Sequence, residues 1–301
     1  MSYISELKIL CGKLGCTMLE NEPLKNHVSF KIGGVCKAMV SVNSAETAVE
    51  IIGFCKQNHI KYTILGKGSN VLVSDEGFDG IVLLMGRDFA DISVNDCTVR
   101  CSAGTSLKSL CTTALSNNLC GTEFAYGIPG TVGGAVFMNA GAYGGEIKDI
   151  IVSADYIDEN GAIKTISKDD MDLSYRHSIF SDNPYIIIGA EFKLEHGVHD
   201  EIKARMNELM NKRKEKQPLE YPSAGSTFKR PEGAYAAALI EQCGLKGKSV
   251  GDAQVSSKHS GFVINKGNAS FNDVISLIQI VQQTVKDKTG YTLEMEPEII
   301  R

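Results

Sequence analysis

The chain has 301 residues, enough for one large domain or two to three small ones. Hydrophobic residues make up 43% and charged residues 22%, as in an ordinary globular protein, and a net charge of −5 argues against nucleic acid as a partner. No apolar run is long enough to span a membrane and the N-terminus lacks a signal-peptide pattern, so a cytoplasmic location without membrane contact is expected.

Residues Tyr3 to Gly15 are predicted as a short amphipathic helix, Val28 to Gly34 as a strand entering a glycine turn, and Val35 to Val42 as another strand. Ser44 should cap a helix over Ala45 to Asn58, whose apolar positions are Ala48, Ile51, Ile52 and Cys55. Strands Tyr62 to Leu65 and Val71 to Val73 flank a tight loop, and a further strand ends near Met85. Strands Ile92 to Val94 and Thr98 to Ser102 surround an Asn95-Asp96 turn, with a helix over Ser106 to Asn117 beyond them. Ile147 to Ile157 and Ala162 to Ile166 read as a hairpin across Glu159-Asn160-Gly161, and Tyr185 to Leu194 as a strand. His199 to Lys216 is a charged helix stopped by Gln217-Pro218. Helices over Ala234 to Gln242 and Asn272 to Lys288 and strands over Gly261 to Asn265 and Tyr291 to Glu294 complete the chain.

The nine cysteines lie mostly on apolar faces, their number is odd and none forms a Cys-x-x-Cys pair. They read as free thiols in a reducing compartment. Among the six histidines only His196 and His199 are closely spaced, in a polar stretch that reads as a solvated turn, so no metal is expected.

Two glycine-rich stretches carry the chemical signal. Gly127 to Gly145 reads Gly-Ile-Pro-Gly-Thr-Val-Gly-Gly-Ala-Val-Phe-Met-Asn-Ala-Gly-Ala-Tyr-Gly-Gly and is almost uncharged. Such density suits a backbone that turns through positive φ or lies against something a Cβ would push away. A short buried helix over Thr131 to Met138 would aim unpaired N–H groups at whatever sits before Thr131, a seat for phosphate or a flavin edge. Composition alone leaves a tight helix crossing equally open. The second stretch, Leu65 to Gly80, places Gly66, Gly68, Ser69 and Asn70 between two strands, where backbone N–H groups and short polar side chains could hold a pyrophosphate. It is not the Rossmann dinucleotide fingerprint, because Val71 stands where a third glycine is wanted and a strand follows.

Together the two stretches resemble the flavin-binding motifs of the UDP-N-acetylenolpyruvoylglucosamine reductase (MurB) family of peptidoglycan precursor synthesis. The likeness runs from about Asn26 to the C-terminus. It implies an α+β protein with a two-subdomain FAD-binding fold of the vanillyl-alcohol-oxidase type, residues 1–88 and 89–200, followed by a C-terminal substrate-binding domain, residues 201–301. It implies non-covalent FAD held by Gly66, Lys67, Gly68, Ser69, Asn70, Val71, Gly104, Pro129, Gly130, Thr131, Gly133, Gly134, Asn139, Gly141, Ala142 and Tyr143. NADPH would be the reductant and UDP-N-acetylglucosamine enolpyruvate the substrate.

Three motifs match the family's active-site residues. Tyr175-Arg176-His177-Ser178 carries the arginine, Gly225-Ser226-Thr227-Phe228-Lys229-Arg230-Pro231 the proton-donating serine, and Glu296-Pro297-Glu298 the catalytic acid at Glu298. Lys216, in a Lys-x-Pro motif, is matched to a phosphate contact, and Arg230 stands where the family often has Asn, so its nucleotide-sugar contacts should differ in detail. The segment after Arg176 runs almost at once into Asn183-Pro184-Tyr185, without the long insert of one branch, which resembles the shorter, type II branch. An oxidase of the same fold and a flavin-binding protein without turnover remain the alternatives.

Overall fold

The computed structural model describes residues Ser2 to Arg301. The chain divides into two compact units. The first comprises the chain up to Glu20 together with Ala38–Lys67 and Gly80–Arg213; the second comprises Asn21–Lys37, Gly68–Asp79 and Lys214–Arg301. The division therefore does not follow consecutive ranges, since segments 21–37 and 68–79 count with the C-terminal residues.

In the first unit a five-stranded antiparallel sheet has the order Ile163–Ser167, Ile151–Ile157, Ile186–Lys193, Thr98–Ser102, Ile92–Asn95. A four-stranded sheet has the order Thr17–Pro23, Val35–Ser41, Phe78–Leu84, Tyr62–Leu65, and its last two strands are parallel, from Tyr62 opposite Ile81 to Leu65 opposite Leu84. The helix Ala45–Gln57 forms because Ser44 accepts a hydrogen bond from the Thr47 N–H at its start and apolar residues recur at helical spacing. Its buried face is Ala48, Ile51, Ile52 and Cys55, packed in a core with Leu83, Val99 and Phe192.

The second unit has its own core, in which Phe30, Ile32 and Leu72 pack with Leu239, Ile240 and Val263. The helix Phe271–Thr289 is its backbone: Ser270 and Asp273 form a reciprocal capping box, and Gly290 ends the helix in the left-handed conformation. Val274, Leu277, Ile278, Val281 and Val285 are buried on one face, each stabilising by roughly 1.5–3 kcal/mol. Among the described residues no helix is long and apolar enough to cross a membrane.

Three expectations are corrected, and one strand was not expected. Residues 28–34 form no strand, because Lys31 at φ 59° and Gly33 at φ 139° break the pleat, while Val28, Phe30 and Ile32 are still buried. The strand expected from Ile147 begins at Ile151, since Glu146 and Asp149 form a capping box that opens a helical turn over Ile147–Ile150. Tyr291 to Glu294 is not a strand; the C-terminal strand is Glu298–Ile300, parallel to Val71–Val73. Thr17–Pro23 is an unanticipated strand whose side chains are exposed or half-buried without regular alternation.

Candidate functional site

The glycine-rich helix is short, Val132–Phe137, and Thr131 caps it by accepting from the Gly134 N–H at 3.4 Å. Its first N–H groups are not left for a ligand. Val132 donates to the Thr105 carbonyl at 2.8 Å and Gly133 to the Ala103 carbonyl at 2.9 Å. The expected row of unpaired donors is thus corrected: the helix start is stitched to the segment after strand Thr98–Ser102, because buried amides are paired wherever a carbonyl is in reach.

The two glycine stretches do come together here. A Cβ on Gly66 would stand 2.5 Å from the Thr131 Oγ1, so only glycine fits at that approach. Gly104 is held as closely, with the Gly86 and Phe89 carbonyls 2.2 and 2.3 Å from its would-be Cβ. Gly130 and Gly134 differ. The nearest protein atom to either would-be Cβ is 3.6 Å away, and Gly134 is exposed. Protein packing does not require glycine at these two positions, whereas a flat ligand lying against the backbone would.

At the other end of the helix Asn139 is fully buried with φ 43°. Its amide nitrogen donates to the Ser174 carbonyl at 2.9 Å and to Glu146 Oε2 at 3.0 Å, and its oxygen accepts from the Lys148 N–H at 2.9 Å. Ser174 and His177 exchange backbone hydrogen bonds of 3.2 Å around a tight turn that holds Tyr175 and Arg176. Arg176 takes φ 56°, stacks its guanidinium 5.1 Å from the Tyr175 ring centre, and donates through Nη2 to the Gly141 carbonyl at 3.5 Å. Ser178 Oγ anchors the same turn by donating to the Phe137 carbonyl at 2.5 Å. Left-handed backbone at non-glycine residues is sparsely populated and gathers at functional sites, and Asn139, Tyr143 and Arg176 all show it.

Arg213 is the residue that sequence reading missed. Its Cδ lies 2.9 Å from the would-be Cβ of Gly127, and its buried Nε has no hydrogen-bond partner among the described residues. Burial lowers its pKa. A half-buried arginine whose buried Nε has no acceptor fits an anionic ligand. The signal was one arginine among several cations in a charged helix, which nothing local distinguishes.

The second unit carries the remaining residues. Gly68 takes φ 60°, and its carbonyl accepts from the Ser29 N–H at 2.8 Å. Asn70 is committed to the C-terminal segment: its side chain donates to the Glu296 carbonyl at 3.3 Å, and its own carbonyl accepts from the Glu298 N–H at 3.0 Å. Glu298 pairs in register with Val71 and is exposed. Thr227, next to Ser226, accepts from the Glu296 N–H at 3.0 Å and donates to the Gly261 carbonyl at 2.8 Å. The Thr227 Oγ1 also receives the Val263 N–H at 2.8 Å. Ser226 therefore adjoins a residue pinned to two segments, one of which bears Glu298. Arg230 stacks 4.4 Å from the exposed Tyr235 ring, and Lys216 is exposed at the end of its helix. His259, on the loop that meets Thr227, has its pKa lowered, chiefly by burial, and accepts from the Gly261 N–H at 3.2 Å, so it is neutral near pH 7.

Arg176 belongs to the first unit, and Ser226 and Glu298 to the second. Residues 36–167, which contain both glycine stretches, match a family model described as an FAD binding domain. This makes the chain an FAD-dependent flavoprotein, and the glycines open toward solvent and the half-buried Arg213 fit that cofactor. Residues 217–300 match the model described as UDP-N-acetylenolpyruvoylglucosamine reductase, C-terminal domain. A UDP-N-acetylenolpyruvoylglucosamine reductase of Clostridium novyi (strain NT) is 54% identical over 277 residues, 92% of this chain and 90% of its own. One from Caldanaerobacter subterraneus subsp. tengcongensis is 48% identical over 279 residues, 93% and 91% of the two chains. The crystal structure of the Thermus caldophilus reductase (MurB) matches with a TM-score of 0.79 at 33% identity, covering 95% of this chain and 99% of that one. The chain belongs to the UDP-N-acetylenolpyruvoylglucosamine reductase family and is an FAD-dependent oxidoreductase, as the resemblance implied.

Proposed function

We propose that the chain catalyses the NADPH-dependent reduction of UDP-N-acetylglucosamine enolpyruvate to UDP-N-acetylmuramate, in the cytoplasm, as a step of peptidoglycan precursor synthesis. The observation that carries this reading is the pairing of the Ser226 and Glu298 segments through Thr227 and Glu296, inside the stretch matched by the family's C-terminal domain. We propose residues 1–88 and 89–200 as two flavin-binding parts and 201–301 as the substrate-binding part.

Gly66, Lys67, Thr131, Gly130, Gly134, Tyr143 and Arg213 would hold the FAD, with Gly104, Gly133 and Asn139 shaping the backbone around it. When bound, FAD would take a hydride from NADPH and deliver it to the terminal carbon of the substrate's double bond. The substrate is an enol ether conjugated to a carboxylate, so negative charge develops on its α-carbon and carboxylate. Arg176, fixed by its left-handed turn and its Tyr175 stack, binds that carboxylate where the charge grows. Glu298, in the family's Glu-Pro-Glu motif, is the neighbouring acid of the same step. The Ser226 hydroxyl protonates the α-carbon and completes the reduction; serine is a weak acid, but an enolate carbon is a strong base. Lys216 binds a phosphate of the nucleotide sugar as a point charge, and Arg230 makes a nucleotide-sugar contact.

Ser226→Ala tests the assignment under anaerobic stopped-flow conditions. Bleaching by NADPH should be unchanged, and recovery of the oxidised spectrum on adding the enolpyruvyl substrate should slow by about 10²–10⁴-fold. Unchanged recovery in the variant removes Ser226 from the role. Recovery of the wild type with oxygen but not with the enolpyruvyl substrate would identify an oxidase instead.

A further inference from the structure

The first unit carries a cluster of metal-ligating side chains that the reductase chemistry does not use. The turn Asp96-Cys97 joins strands Ile92–Asn95 and Thr98–Ser102, with Asp96 at φ 53°. His196 ends the two-residue strand Glu195–His196, which pairs with Leu119–Cys120. The Cys97 carbonyl accepts from the Leu194 N–H at 2.8 Å, so the turn is pinned to the residues just before His196. One ligand atom from each of Asp96, Cys97 and His196 lies within 4.8 Å of the others. Asp96 Oδ1 and His196 Nε2 are already 3.2 Å apart.

We propose that Asp96, Cys97 and His196 form a binding site for one thiophilic divalent cation of the Zn²⁺ class, with water as the fourth ligand. A thiolate, an imidazole and a carboxylate are a borderline-soft donor set, which suits Zn²⁺ and excludes Mg²⁺ and Ca²⁺ as preferred occupants. Tetrahedral Zn²⁺ with these bond lengths places its ligand atoms about 3.5 Å apart. The cluster needs to close by about 1 Å, and the Asp96 and His196 side chains, 71% and 68% exposed, are free to rotate that far. Cys97 is only 9% exposed, which holds its sulfur in place. Lys193 is near enough for its charge to be felt at Asp96 and works against a cation there, so binding should not be very tight. His199 is not part of it; its ring faces Asp200 at 3.0 Å. A bound cation would tie the 92–102 hairpin to the segment that enters helix His199–Lys216.

The test uses the full chain with its FAD, stripped by a chelator and titrated with Co²⁺ as a spectroscopic probe. One equivalent should bind with a thiolate-to-cobalt charge-transfer band and tetrahedral d–d bands, and Zn²⁺ should displace it. Cys97→Ser should abolish the charge-transfer band. His196→Ala should weaken binding on the order of 100-fold, at least what loss of a metal ligand's hydrogen-bond partner costs. His196 is exposed, so this variant folds and decides the matter even where Cys97→Ser does not. Cys243→Ser, which alters a thiol of the other unit, should change nothing. No binding, an octahedral spectrum without charge transfer, or undiminished affinity in His196→Ala would overturn the proposal.

Discussion

Thr131 caps its helix and also closes the approach to Gly66, and substitution separates the two roles. Gly66→Ala drives a methyl onto the Thr131 Oγ1 and should destabilise by about 1–3 kcal/mol. Thr131→Ala alone should cost about 1 kcal/mol through the lost cap. Because it removes the clashing atom, the double variant should fall short of the sum by about 1 kcal/mol in urea unfolding. Asn139→Ala removes three hydrogen bonds from a fully buried amide and should cost roughly 2–4 kcal/mol. The same variant releases the Arg176 turn, so kcat should fall at temperatures where the fold persists. Arg213→Met keeps the buried length and removes the charge; FAD affinity measured by equilibrium dialysis should drop about tenfold or more. Asn139 was legible in the sequence as a residue of the flavin stretch, yet its amide is spent on Ser174, Glu146 and Lys148, partners that only folding supplies.

At the scale of elements, the hairpin between Ile151–Ile157 and Ile163–Ser167 is tied by Asp158. Its carboxylate lies 2.7 Å from Lys164 and accepts from the Asn160 and Ala162 N–H groups at 2.9 Å. The Lys164 hydrogen bond, then that from Ala162, hold its pKa down to about 2 from 3.8. A depressed folded-state value means the charged form stabilises the fold above pH 3.8, and that contribution is lost as pH falls toward 2. Asp158→Asn should therefore lower the thermal midpoint at neutral pH, with the gap from wild type narrowing across that acid window. The turn itself was readable from Glu159-Asn160-Gly161, and the helix start at Ser44 was readable from its cap. The strand Glu298–Ile300 was not, since three residues carry no period and its partner Val71–Val73 lies far back in the chain.

For the molecule as a whole, the nine cysteines are all free, and only Cys16 and Cys120 are partly exposed. Burial pushes the Cys55, Cys101 and Cys111 thiols up to about 12, so they carry no thiolate at neutral pH. Ellman's reagent should react rapidly with no more than two thiols in the native protein and with all nine after denaturation. The sequence alone determined the family, the cofactor class and most of the helices and strands. Those depend on motifs, caps and apolar periods, each confined to a few neighbouring residues. Only the tertiary structure decided that the first helix amides after Thr131 are consumed by Ala103 and Thr105, that Arg213 is half-buried beside Gly127, and that His196 pairs with Asp96 rather than His199. Each of these depends on which atoms a folded backbone brings within 3 to 4 Å, a distance that separation along the chain does not encode.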